Sequence, residues 1–409
     1  MFELVREFVA TLPDAAEAAV LRQRHRRWLT TWFGALPLAT PLQQVLPEMA
    51  NLAAALLGAE ADGAHAEAAA LAAAAQVATS ALSLPLPVLA ALQRCADRLS
   101  HPPQRALLRA KLSRAMLLVG QTKAADRLAA QAMAELPGAA VVMPCTGAAD
   151  SAPGLARAQV LTRAAHVRWR LHRDVGASVW LEQALALAEA AQALALQASI
   201  LTNLGAIRRP HDAAAAMALQ RRALALWAAA GDVQGVNVGR CNLALALLAR
   251  RAGANEALAL ATQAAVDSRQ QRDERQHALA CNLRGEAWSR LGRWPEAAVA
   301  YSDCIAAAYA SAEPWPLVYG LWNLPRAWAH LRRPDAAARL MGFVEQHAPG
   351  VSGALTRADR HDLRRLHRLC ARQTSGDAVA RGWQAGAQLT LAQAVRLALS
   401  DNRPEHLTT

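Results

Sequence analysis

The pair Asn-Leu returns along this chain at Asn203-Leu204, Asn242-Leu243, Asn282-Leu283 and Asn323-Leu324, at separations of 39, 40 and 41 residues. The longer string Cys-Asn-Leu is duplicated from Cys241 and Cys281. A turn followed by an acid and an alanine recurs at Asn255-Glu256-Ala257, Pro295-Glu296-Ala297 and Pro334-Asp335-Ala336. A period near 40 that holds two helical runs describes one helical hairpin per repeat. Such a hairpin cannot bury its own apolar side, so copies must stack, and the chain is expected to form an α-solenoid.

Within the stretch from Cys281 to Tyr301 each residue type has a physical task. Gly285 has no Cβ and lets two helices approach closely. Trp288, three residues on, shares that face and can fill the space between paired helices. Gly292 ends the first helix where a left-handed residue is wanted, and Trp294-Pro295-Glu296 opens the second, with Glu296 suited to the helix dipole. Ala297 and Tyr301, four apart, form a small and large pair that faces back onto the first helix. Together these residues resemble the tetratricopeptide (TPR) motif. The other units match loosely: Asn282 precedes Ala287-Trp288 by five residues, whereas Asn323 precedes Ala327-Trp328 by four. The expected fold is all-α, a right-handed α-solenoid of TPR-like helical hairpins with a C-terminal helical cap.

A solenoid grows by adding units, so 409 residues can form one elongated body. Apolar residues are 54% of the chain, largely alanine, which favours helix but buries little area. Cohesion then rests on Leu and on the eleven Trp, read here as core and inter-repeat packing. The formal charge is +12, yet of the 44 basic residues only Lys111 and Lys123 are lysine. A GC-rich coding bias produces the same usage, so the charge weighs little for nucleic acid. Six cysteines include no C-x-x-C pair, and Cys241 and Cys281 share one repeat phase, which predicts small core residues in a reducing compartment. Met1 to Pro13 lacks the features of a signal peptide, and Ala66 to Leu92 is broken by polar residues and two prolines. A cytoplasmic protein without a membrane partner is expected.

The chain reads as an N-terminal helical segment (1–60), helical hairpins (61–136), a flexible linker (137–155), TPR-like repeats (156–348), capping helices (349–402) and a disordered tail (403–409). A short helix is expected over 2–12, with Asp14 capping the next one through Phe33. That helix carries Arg22, Arg24, Arg26 and Arg27, which wrap round it and read as a solvated face rather than a phosphate stripe. Helices follow at about 64–82, 87–99, 103–119 and 122–136. Hairpin pairs are expected at 156–172 with 177–192, 194–208 with 212–230, 233–251 with 254–271, 274–291 with 295–311, and 316–331 with 335–347. Basic residues at first-helix ends, Arg208-Arg209, Arg250-Arg251, Arg290 with Arg293 and Arg332-Arg333, read as cations that compensate helix dipoles. Thr356 to Gln373 is a highly basic helix after the period stops.

Catalytic chemistry is hard to assemble from these residues. There is no phosphate-binding G-x-x-x-x-G-K-[ST] and no G-x-S-x-G. His361, His367 and Cys370 come nearest to a metal cluster, but only His367 and Cys370 share a helix face, too few ligands for zinc. No catalytic residue, metal or cofactor is expected. The constellation with a functional reading is Asn203, Asn242, Asn282 and Asn323. An asparagine on the inner helix of each hairpin offers a donor and an acceptor to the groove and could grip an extended peptide backbone. The competing reading has each asparagine bonding locally between neighbouring helices.

Both ends resemble the C-terminal halves of large bacterial signal-transduction (STAND-type) ATPases fused to transcription regulators. The residues that carry this are Val5-Arg6-Glu7-Phe8, Arg22 to His25, Glu48-x-x-Asn51-Leu52-x-x-Ala55-Leu56, Ala337 to Gly342, and Trp383-x-x-Gly386-x-x-Leu389-Thr390-Leu391-x-x-Ala394-Val395. In that family a DNA-binding domain and an NTPase precede a TPR-like solenoid. Those parts would lie before Met1, so the chain is expected to be a stand-alone solenoid or to start inside a longer reading frame. The resulting expectation is a non-catalytic scaffold or sensor that binds a protein or peptide in signalling or transcriptional control. The alternatives are a remnant of an ATPase regulator and a nucleic-acid binder that uses an arginine edge, the latter disfavoured for this chain alone.

Overall fold

The computed structural model describes residues 15–37, 40, 42–76, 78, 84–136, 151–172, 174–352 and 355–400. The expected helix over 2–12, the Asp14 cap, residues 137–150 of the expected linker and the tail 403–409 lie outside the described residues. All regular structure among the described residues is helical. In chain order the α-helices are α1 (Ala15–Gly34), α2 (Leu42–Val45), α3 (Met49–Ala61), α4 (His65–Ala74), α5 (Leu86–Arg98), α6 (Pro102–Leu118) and α7 (Thr122–Ala134). Next come α8 (Ser151–His172), α9 (Ala177–Ala190), α10 (Leu194–Arg208), α11 (Ala213–Ala229), α12 (Val233–Leu247), α13 (Ala254–Gln270) and α14 (Glu274–Arg290). The last are α15 (Trp294–Ala310), α16 (Pro314–His330), α17 (Pro334–His347), α18 (Pro349–Ser352), α19 (Arg357–Ala371), α20 (Gly376–Ala387) and α21 (Leu391–Ser400).

The chain divides into two compact units, residues 1–210 with 218–236 and residues 211–217 with 237–409. Within each unit helices pack against their sequence neighbours, hairpin upon hairpin, which is the all-α solenoid that the period demanded. In the first unit the core includes Leu29, Phe33, Leu52, Leu56, Leu71, Leu89 and Leu128, and a second cluster joins Leu161, Trp169, Leu181, Ile200 and Leu204. In the second unit α14 is buried on most of its circumference, from Gln276 to Ser289, because it is covered by α13, α15 and α16.

The turns between helices explain the period physically. A residue at positive φ closes them at Gln192, Gly231, Arg272, Gly292, Ala312 and Arg332. Glycine takes this left-handed conformation without Cβ strain, whereas the other four bear a cost of about 1 kcal/mol each. Gly292 at φ 75° ends α14 as its position predicted. Ala297 and Tyr301 are buried, and the Tyr301 hydroxyl lies 3.1 Å from Ser289 Oγ on the first helix of the hairpin. Gly285 does make room, though for a ring rather than a backbone: a Cβ there would meet the Tyr301 ring at 2.5 Å.

Several expectations need correction. Ser151 already begins α8, so residues 151–155 are helix rather than linker; Pro153 falls in the first turn, where its missing N–H has no intrahelical partner to lose. The run expected over 64–82 is interrupted at Ala75, where α4 ends. The helix expected to reach 251 stops at Leu247, and Arg251–Gly253 form a 3-10 turn in which Gly253 lies directly against the Leu247 carbonyl. The arginine run on α1 is not simply solvated either. Arg26 is only 4% exposed and donates to Asp62 at 2.7 Å and Glu67 at 2.8 Å, while Arg22 pairs with Asp62 at 3.0 Å. The run clamps α1 to the turn between α3 and α4.

The second unit closes on α19, α20 and α21. All three have side-chain caps: a Thr356–Asp359 capping box, Ser375 on Ala378 N–H, and Thr390 reciprocally bonded to Gln393, as α11, α12 and α14 have in Asp212, Asp232 and Asp273. α20 meets α17 with almost no space between backbones. Gly342 lies against the Trp383 carbonyl and Gly386 against the Arg339 carbonyl, so a Cβ at either would collide with main chain. Trp383 Nε1 then donates to Glu345 at 2.7 Å.

Candidate functional site

The four asparagines do not share one environment. Asn203, Asn242 and Asn323 stand eleven residues after a left-handed turn residue, but Asn282 stands ten after Arg272. One residue of helix is about 100° of rotation, so Asn282 faces inward and is 5% exposed while the other three are half-buried. Asn203 Oδ1 lies 3.0 Å from His166 Nδ1 on α8, and Asn242 Nδ2 donates to Val238 O of its own helix at 2.9 Å. In the second unit Asn323 Nδ2 donates to Asn282 Oδ1 at 3.1 Å, and Asn282 Nδ2 donates to Glu286 at 3.2 Å. That relay links the first helices of two successive hairpins. It also leaves the Asn323 side-chain oxygen without a donor among the described residues.

Asn323 opens onto a cleft of about 500 Å³ between α16 and α19. On α16 the lining residues are Trp322, Asn323, Arg326 and His330, whose spacing puts them on one face. On α19 and its C-terminal residue they are His361, Asp362, Arg365, Leu366, Arg368, Leu369 and Arg372, while Leu363 and Cys370 turn into the core. Met341 of α17 contributes to the wall. The end of α19 is held by Gln373, whose Nε2 donates to the Ala329 carbonyl of α16 at 2.7 Å.

Charge is the dominant property of this cleft. Arg326, Arg365, Arg368 and Arg372 form no salt bridge with any described residue, in contrast to Arg284, which holds Asp303 at 2.6 Å on the same unit. Trp294 supports two of the lining side chains: His330 stacks flat on its indole, centroids 3.7 Å apart at 5°, and the Arg326 guanidinium lies 5.7 Å from the ring centroid. Burial, then the charges of Arg326 and Arg365, pull the His330 imidazole below its ordinary pKa. The site is thus a cation-rich slot with a neutral histidine, apolar patches and an amide acceptor. It can hold an anionic ligand and offers no activated nucleophile.

The five cysteines among the described residues are unsuited to covalent chemistry. Cys95, Cys281 and Cys370 are pushed to about 11 and Cys241 to about 12 by burial, and Cys304 also rises well above its ordinary value. These buried thiols are the core residues that the repeat phase of Cys241 and Cys281 suggested. His361 lies in the cleft, His367 tilts against Trp383 at 5.8 Å, and Cys370 is in the core.

Sequence reasoning singled out Asn323 but missed Arg365, Arg368 and Arg372. The signal was present, since their spacing on the basic helix from Thr356 marks one face. What it lacked was the opposing face of α16, which becomes a wall only when the cap folds back on the last repeat.

No helix among the described residues is long and apolar enough to cross a membrane. No family model matches the chain, and no curated protein matches it in sequence. Among solved structures, the chain is similar to one described as the crystal structure of Rap protein complexed with competence and sporulation factor. The TM-score is 0.49 at 12% identity, over 87% of this chain and 99% of that one.

Proposed function

We propose that this chain is a non-catalytic helical-repeat module that binds an acidic peptide segment of a protein partner in the cleft between α16 and α19. The observation that carries the reading is the convergence of four guanidinium groups, none in a salt bridge with a described residue, on an asparagine with an unused acceptor. Guanidinium groups match carboxylates with paired donors, so acidic side chains complement the slot. The Asn323 oxygen can accept a peptide N–H, and Trp322 and Leu369 give apolar contact. A cleft near 500 Å³ suits a few residues of extended chain. In this reading Asn282 positions the Asn323 amide, and Asn203 and Asn242 serve packing. The resemblance of both ends to signal-transduction regulators supports a setting in bacterial signalling or transcriptional control, in the cytoplasm.

A fluorescein-labelled twelve-residue peptide rich in Glu and Asp is the probe. Anisotropy at 50 mM NaCl should show saturable binding. Arg365→Ala with Arg368→Ala should weaken it at least tenfold, and Asn323→Ala severalfold, with helicity unchanged by circular dichroism. Absence of binding, or equal affinity in the variants, rejects the reading. A single-stranded oligonucleotide of the same charge that binds more tightly would assign the cleft to nucleic acid instead.

A further inference from the structure

The first unit holds a second cationic site with different surroundings. A cavity of about 70 Å³ lies among α4, α5, α6 and α8. Leu89 and Leu92 of α5 and Leu108 and Leu112 of α6 line it together with Lys111, Arg114 and Arg163, with no carboxylate among the lining residues. Lys111 is one of only two lysines in the chain. Its Nζ donates to the carbonyls of Ala72 and Ala73, at 3.3 Å each, in the last turn of α4. Lys111 thus places a positive charge and two of its three N–H donors at the C-terminal end of that helix. Arg163 is met by Gln159, four residues earlier on its own helix, with Nη1 at 3.3 Å from the carbonyl and 3.4 Å from the side-chain oxygen. Neither Lys111 nor Arg163 forms a salt bridge with a described residue.

Two neighbouring cations beside leucine side chains are costly unless an anion joins them, because charge in apolar surroundings needs a partner. Burial, then the Arg163 charge, brings Lys111 down to about 7, and burial followed by the Arg114 charge brings Arg163 to about 10. An anion in the cavity would reverse both shifts. The lining adds a second requirement. Leucine side chains and cations line the cavity together, so the complementary molecule has a charged head and a short aliphatic body.

We infer that this cavity is a binding site for a short-chain aliphatic carboxylate, with the carboxylate between Lys111 and Arg163 and the alkyl group against Leu89, Leu92 and Leu108. The site lies within the first unit and is independent of the peptide cleft. It gives the module an input by which a small acid, on binding, stabilises the packing of α4, α6 and α8.

The test uses the full chain with sodium butyrate as probe and sodium phosphate and sodium chloride at matched ionic strength as controls. Butyrate should raise the melting temperature saturably and bind in calorimetry, while chloride does neither. Affinity should fall as pH rises from 7 to 9, because the Lys111 ammonium gives up its proton over that range in the free chain. Lys111→Met removes a buried charge and is expected to fold; it should lose at least tenfold in butyrate affinity, as should Arg163→Gln, which decides the matter if the first variant fails to fold. Absence of butyrate binding, or folded variants that bind as well as the parent, overturns the proposal. Binding of phosphate with equal or greater affinity overturns the carboxylate assignment.

Discussion

Arg26 sits at the wall of the first unit with its guanidinium on both Asp62 and Glu67. Replacing it by alanine leaves two carboxylates facing the space it filled, and we expect Arg26→Ala to cost about 3 kcal/mol, read from the urea midpoint. The same network sets an acid limit. Burial pushes Asp62 and Glu67 up, but hydrogen bonds from Arg22, Arg26 and Gln23 outweigh it and hold both below their ordinary values of 3.8 and 4.5. Carboxylates with depressed folded pKa values stabilise the fold fully above their unfolded values and lose that contribution as pH falls through the folded ones. Stability should therefore drop below about pH 4, less steeply in Asp62→Asn than in the parent chain. In the second unit the Tyr301 hydroxyl is buried against Ser289. Tyr301→Phe leaves that serine without its partner and should lower stability by about 1 kcal/mol in the same assay. Gly285 was legible in the sequence as a close-approach position, but which group approaches depended on the rotamer of Tyr301, sixteen residues away.

Helix termini in this chain are satisfied by left-handed turns at one end and side-chain caps at the other. Six repeat helices, α9, α11, α13, α14, α15 and α16, end in turns that need a left-handed residue, whether or not the sequence supplies glycine. Ala312 at φ 54° is one that does not, so Ala312→Gly should raise stability by roughly 0.5 kcal/mol, while Gly292→Ala should lower it by about 1 kcal/mol. Thermal unfolding of the two variants would show opposite signs. Side-chain caps open α11, α12 and α14 through Asp212, Asp232 and Asp273, and they open all three closing helices, α19, α20 and α21. The attachment of the closing helices rests on backbone proximity. Gly386→Ala places a methyl into the Arg339 carbonyl and should cost at least about 2 kcal/mol while loosening the cleft, detectable as faster exchange of α19 and α20 amides. Gly382 and Gly386 are four residues apart in Gly382-Trp-Gln-Ala-Gly386, a small-residue spacing. That spacing does not say that α17 is what they meet, because several helices have an equally small-sided face.

Alanine-rich helices make a chain whose cohesion is distributed over many close contacts instead of one large core. The buried thiols belong to that packing and should be slow toward reagents. In a Cys145→Ser background, titration with a disulfide reagent should find Cys95, Cys241, Cys281, Cys304 and Cys370 protected until guanidinium unfolds the chain. Fast labelling of any of them in the native state would contradict the packing described. The 40-residue recurrence, the alternation of helices and the left-handed turn at Gly292 were all readable from spacing, because they depend on local backbone geometry and on a period that repeats itself. The partners of Arg26, the inward rotation of Asn282 and the two cation-lined cavities were not readable. Each depends on which faces of non-adjacent helices meet, and a one-residue phase shift in a helix, invisible to composition and trivial in spacing, turns a side chain by about 100° from groove to core.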